Sequence, residues 1–119
     1  MAKVKVFMPT YQRNHLLPRS IESLLSQTFT DWICEIHNDD PINEFPSEYI
    51  KSLNDNRFML VNHKSNIGAV NTFNLMFEPT QDEYICLLED DNWWEPDFLN
   101  LMTTYMDCLL YTSPSPRDS

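Results

Sequence analysis

Four apolar segments of strand length, each followed by a stretch of helical periodicity, constrain this chain more than any other feature. Residues 4–9 alternate and then become wholly apolar, 32–37 and 58–61 are rich in bulky side chains, and 84–88 is an unbroken apolar run. Leu17, Ile21, Leu24 and Leu25 recur at helical spacing after Asn14, a cap candidate, and Pro18, which suits a first turn. Tyr49, Ile50 and Leu53 follow a second cap candidate, Ser47; Val70, Phe73, Met76 and Phe77 follow Asn66-Ile67-Gly68 and stop at Pro79. Phe98, Leu101, Met102 and Tyr105 form a last stripe on a helix predicted to begin near Pro96. Strand–helix alternation repeated in this way predicts an α/β layer fold, with mainly parallel strands joined by right-handed crossovers. The run at 84–88 reads as a central strand buried on both faces.

Composition removes several functional classes. The chain has 119 residues and one glycine. A dinucleotide fingerprint needs three glycines and a Walker A loop two, so both are excluded, together with a G-x-S-x-G nucleophile elbow. Eight Lys and Arg stand against 18 Asp and Glu, for a formal charge of −10. Such a chain is a poor binder of nucleic-acid backbones and anionic membranes, yet its carboxylates suit a divalent cation. Cys34, Cys86 and Cys108 form no C-x-x-C pair, which excludes zinc ribbons and thioredoxin-like motifs. No apolar leader opens the sequence and no run is long enough to span a bilayer, so a cytoplasmic location is expected.

Four groups could carry chemistry. Glu89-Asp90-Asp91 follows the fourth strand, where adjacent carboxylates repel unless a cation such as Mg²⁺ or Mn²⁺ lies between them. Pro9-Thr10-Tyr11-Gln12-Arg13 follows the first strand, with a ring able to stack on a base and a guanidinium able to meet a diphosphate. Asp39 or Asp40 after the second strand can accept an N–H from a uracil or guanine edge, although Asp39-Asp40-Pro41 also suits an Asx-turn. Asn66 and Gly68, with Asn71 and Asn74 on the next helix, open a helix start that can receive an anion. His15, His37 and His63 lack metal-ligand spacing; His37 reads as structural, as do Trp93 and Trp94. Three groups follow strands and the fourth opens a helix after one, so a parallel sheet brings all four to one edge.

This arrangement resembles the family 2 glycosyltransferases of GT-A fold. The resemblance rests on Val6-Phe7-Met8-Pro9-Thr10-Tyr11-x-Arg13, Ser20-Ile21-x-Ser23-Leu24-Leu25-x-Gln27-Thr28, Asp39, Asn66-x-Gly68 with Asn74, the DXD-like Glu89-Asp90-Asp91, and Pro96-x-Phe98-Leu99. It covers residues 3–107 and implies a Rossmann-like sheet flanked by helices, incomplete on the C-terminal side. The implied activity is metal-dependent, inverting transfer of a sugar from a nucleoside-diphosphate donor, a UDP-sugar first, to an acceptor hydroxyl. By resemblance, Tyr11 and Asp39 hold the base, Asp90 lies near the ribose or sugar, and Asp91 binds the metal. Pro9, Thr10, Arg13, Asn66, Gly68 and Asn74 complete the nucleotide set. The family usually closes strand two with an acidic pair; here Asn38 precedes Asp39, and Asp39 fits the strand spacing better than Asp40. The catalytic base is expected beyond Asp107. Two competing classes are a non-catalytic nucleotide-binding or interaction domain and a Mg²⁺-dependent nucleotidyltransferase, although the glycine-rich basic loop of the latter is missing.

Residues 108–119 resemble the conceptual translation of a sequencing-library adapter. They are expected to be a non-native tail on an N-terminal, nucleotide-sugar-binding part at 1–107, with the helical pattern ending at that boundary.

Overall fold

Val6 pairs with Cys34 on one side and with Cys86 on the other. The first strand thus lies inside the sheet, and its end becomes the middle of whatever the sheet edge builds. The computed structural model describes residues 2–112. Its elements are β1 (Val4–Thr10), α1 (Leu17–Leu25), β2 (Trp32–Asn38), α2 (Phe45–Leu53), β3 (Phe58–Asn62), α3 (Ala69–Asn74) with a 3₁₀ turn at Leu75–Phe77, β4 (Tyr84–Leu87) and α4 (Phe98–Thr112). The four strands are all parallel in the order β3-β2-β1-β4. The expected α/β layering and parallel sheet are present.

Alternation along the strands sorts the side chains by face. Val4, Val6 and Met8 join Trp32, Cys34, Ile36 and Phe58 in a core completed by Leu17, Ile21 and Leu24 of α1 and Leu99 of α4. The other face carries Lys5, Phe7, Glu35 and His37, and its β3 residues Met59 and Val61 are exposed.

Several local expectations are corrected. Neither Asn14 nor Ser47 caps a helix. The cap positions are Leu16 and Glu44, while Asn14 exchanges side-chain hydrogen bonds with Asn43. β4 is an edge strand with three of its four residues half-buried, because nothing among the described residues pairs with its outer side. The α3 stripe does not face a core: Val70, Phe73 and Phe77 are exposed and Thr72 is the buried residue. α4 begins at Phe98, not at Pro96, and turns Leu99, Met102, Thr103 and Met106 inward, leaving Leu101 and Tyr105 in solvent. It also runs through Cys108 to Thr112, so the helix does not end at Asp107. The rest of the expected tail, 113–119, lies outside the described residues.

The segment joining β4 to α4 is held by the polar side of α1 and by Gln27 just past its end. Gln27, 5% exposed, accepts from the Leu99 amide (2.9 Å) and donates to the carbonyls of Glu95 (2.7 Å) and Ser23 (3.1 Å). The Ser20 hydroxyl reaches the carbonyls of Glu89 and Asn92, and Ser23 Oγ accepts from the Trp94 amide at 3.1 Å. Arg19 donates to the Asp91 carbonyl at 3.0 Å and lies over the Trp93 ring. Truncation of Gln27 would strand a buried amide and a carbonyl. Gln27→Ala is therefore expected to cost about 2–4 kcal/mol in urea unfolding. A loss below about 0.5 kcal/mol, the range of an ordinary surface change, would contradict this role.

Candidate functional site

The carboxyl ends of β1, β2 and β4 open into a cleft of about 530 Å³, where parallel α/β sheets bind ligands. Pro9, Thr10, Tyr11 and Arg13 line it from the β1 end, and Asp39 from the β2 end. Asn66, Gly68, Thr72 and Phe73 form the α3 side, while Leu87, Glu89 and Asp90 close the β4 side. Tyr11 is 46% exposed, so its ring is available to a flat ligand. The next residue, Gln12, has φ +56°, a left-handed conformation uncommon outside glycine. Its side-chain amide donates to Asp40 at 3.0 Å, which ties the β1 loop to the β2 loop.

Asp39 is the most constrained carboxylate. It is 4% exposed and accepts from the Ile67 amide (2.9 Å), the Gly68 amide (2.9 Å) and His63 Nδ1 (2.7 Å). Burial pushes its carboxyl up, but the hydrogen bonds from His63, Ile67 and Gly68 outweigh burial and hold it below the usual aspartate range. Gly68 sits at φ +89°, which only glycine adopts readily; a Cβ there would meet nothing within 4 Å, so backbone conformation, not space, demands glycine. The helix-start amides that could receive a ligand anion are thus already engaged by Asp39. Asp40 serves its own loop instead, where its Oδ1 accepts from the Ile42 amide in an Asx-turn.

The acidic segment divides its carboxylates. Asp90 is 6% exposed and accepts from the Thr10 hydroxyl at 2.8 Å and the Tyr11 amide at 3.4 Å. Burial dominates here and raises its pKa, with the Thr10 bond and the Arg13 charge opposing. Asp91 points outward and forms an ion pair with Arg13 at 2.9 Å, both side chains being about half exposed.

Eight of the expected nucleotide residues line the cleft, and Asp91 joins its rim through Arg13. Asn74 does not: it ends α3 and is exposed, away from the lining. Trp93 is also outside, against Arg19, and Trp94 stacks on Phe98 at 4.6 Å. Sequence reasoning missed Thr72, Phe73 and Leu87. It also missed His63, which has no motif spacing and reaches Asp39 only because β3 lies beside β2.

The chain matches the family Glycosyl transferase family 2 over residues 5–110 and belongs to it. It is 31% identical over 108 residues to a protein of Escherichia coli (strain K12) whose name assigns it provisionally to colanic acid biosynthesis as glycosyl transferase WcaA; the match covers 90% of this chain and 39% of that protein. A second Escherichia coli relative is the UDP-Glc:alpha-D-GlcNAc-diphosphoundecaprenol beta-1,3-glucosyltransferase WfgD, 25% identical over 103 residues, covering 87% of this chain and 40% of that protein. The chain therefore spans about two fifths of these relatives. Among solved structures, S. aureus TarS 1-349 in complex with UDP superposes with a TM-score of 0.77 at 18% identity, covering 88% of this chain and 32% of that one. That likeness establishes the GT-A fold. No helix among the described residues is long and apolar enough to cross a membrane.

The lowered pKa of Asp39 sets the sign of one pH effect. Its stabilising contribution is complete above the unfolded aspartate value of about 3.9 and is lost as pH falls through the lower folded value. The stability gap between the wild type and Asp39→Ala should therefore be constant near neutrality and shrink in acid, read from urea unfolding at a series of pH values. A gap that widens in acid would contradict the assignment.

Proposed function

We propose that the chain is the donor-binding part of a glycosyltransferase that moves a sugar from a nucleoside diphosphate, UDP first, to an acceptor hydroxyl with inversion. The observation that carries this reading is convergence: an exposed aromatic ring, an ionised buried carboxylate and an Arg–Asp pair meet in one cleft at the carboxyl edge of the sheet. Tyr11 offers a stacking face for the base, and Asp39 an acceptor for a base N–H. Asp90 lies where a ribose or sugar hydroxyl can reach it. Arg13 can exchange its bond to Asp91 for the diphosphate. TarS has been solved with UDP and with UDP-GlcNAc, and the Pyrobaculum calidifontis mannosyltransferase PcManGT with GDP-Man and Mn²⁺, which supports a nucleotide-sugar donor.

A divalent ion fits the residues in a limited way. Among the described residues no three His, Cys, Asp or Glu side chains group into a protein-only metal shell. Mg²⁺ and Mn²⁺ sites in nucleotide enzymes need no such shell, because one or two carboxylates share the ion with substrate phosphates and water. Asp91 supplies one such carboxylate at the rim. When bound, the ion would neutralise charge on the departing diphosphate. No described residue is assigned as the base that deprotonates the acceptor. That role belongs to sequence beyond Asp107 on this reading, so the chain binds donor nucleotide without transferring sugar.

Calorimetric titration of the folded chain with UDP and GDP, with Mn²⁺ and with chelator, tests the reading. Mn²⁺ should raise diphosphate affinity, and Asp91→Ala should remove most of that gain. Asp39→Ala should weaken binding with or without metal by about tenfold or more, the worth of one charged hydrogen bond. Equal binding under all these conditions would refute the metal and base assignments.

A further inference from the structure

A buried line of polar groups runs from β1 to the cleft. Lys5 Nζ on β1 lies 3.1 Å from Glu35 Oε2, and Glu35 Oε1 lies 2.7 Å from His37 Nε2. His37 Nδ1 is 3.0 Å from His63 Nε2, and His63 Nδ1 is 2.7 Å from Asp39 Oδ1. Both histidines are buried, at 5% and 9% exposure, and the uncharged Phe7 ring of β1 stacks on His37 at 4.6 Å. The titratable groups around the pair are thus Lys5 on β1, Glu35 and Asp39 on and after β2, and nothing charged from the α3 side, where only the Ile67 and Gly68 amides reach Asp39.

Carboxylates flank the histidine pair on both sides, and an ionised carboxylate only accepts. His63 Nδ1 must therefore carry N–H toward Asp39, and His37 Nε2 must carry N–H toward Glu35. Burial pushes both Asp39 and Glu35 up, but their hydrogen bonds to the histidines and other donors outweigh it and leave both below the usual range. Asp39 then has a definite remaining capacity. Its Oδ1 accepts from His63 and Ile67 and is filled, while Oδ2 accepts from Gly68 alone and keeps one position open on a residue that lines the cleft.

We infer that His63, donating from Nδ1 and backed in turn by His37 and Glu35, holds Asp39 turned so that the open position on Oδ2 meets an N–H on the edge of a nucleobase. His63 is a positioning residue for base selection, with His37 and Glu35 as its support. The inference rests on the reading that Asp39 faces the base. It adds the residue that fixes the carboxylate.

The test uses the whole 119-residue chain. Imidazole nitrogen NMR tells the two ring nitrogens of His63 apart. Nδ1 should carry the proton that faces Asp39, and a ring protonated at Nε2 alone overturns the inference. UDP titration then compares the wild type with Asp39→Ala, His63→Phe and His63→Asn. His63→Phe should weaken UDP by about tenfold, the worth of one charged hydrogen bond, whereas His63→Asn, whose amide N–H can replace Nδ1–H, should stay within about threefold of the wild type. If Asp39→Ala weakens UDP and His63→Phe does not, the positioning role is wrong while the base reading stands. If Asp39→Ala binds UDP like the wild type, the base reading fails and the positioning role with it.

Discussion

Helix α1 has two working sides, and the site depends on both. Leu17, Ile21 and Leu24 are fully buried against the sheet, which fixes the helix on the core. Ser20 and Ser23, interleaved with them, and Gln27 just past the helix end hold the backbone from Glu89 to Leu99 through hydrogen bonds that no strand or helix would otherwise supply. A connection of that length without regular structure has many conformations open to it. Tethering it at several carbonyls and amides places Asp90 over Thr10 and Asp91 beside Arg13. The acidic residues are thus positioned by polar side chains of a helix more than 60 residues earlier in the sequence.

Asp39 does the corresponding work on the other side of the cleft. Its carboxylate closes a short loop from β3 to α3 by accepting the Ile67 and Gly68 amides, and Gly68 is the chain's single glycine because that geometry needs a positive φ. The same carboxylate clamps that loop and lines the cleft. This coupling explains why the β2 end carries two adjacent acids with separate duties. Asp39 faces the cleft, and Asp40 stabilises its own turn and receives Gln12.

Much of this was legible in the sequence. Period-two and apolar runs marked all four strands, and strand ends in a parallel sheet must share an edge, so Thr10, Asp39 and Asp90 could be brought together without coordinates. Strand spacing also favoured Asp39 over Asp40. What could not be read depended on neighbours that a linear pattern does not show. His63 meets His37 across β2 and β3, a pairing fixed by sheet order. Ser20 and Gln27, which the sequence marked only as part of the family resemblance, are buried and hold the segment between β4 and α4. The apolar run at 84–88 and the stripes containing Phe73, Leu101 and Tyr105 predicted burial that the described residues do not provide; the chain spans about two fifths of its relatives' length.

The central claim is that the cleft at the carboxyl edge of β1, β2 and β4 receives the nucleotide. Backbone amide NMR of the chain during UDP addition tests it most directly, because every site residue except Pro9 has an amide reporter and the opposite end of the sheet supplies internal controls. The account predicts saturable shifts concentrated at Thr10–Arg13, Ile67–Phe73 and Glu89–Asp91, with the α2–β3 turn at Asn54–Asn56 unmoved. Shifts centred on that turn, or none at UDP concentrations that saturate binding by calorimetry, would contradict it.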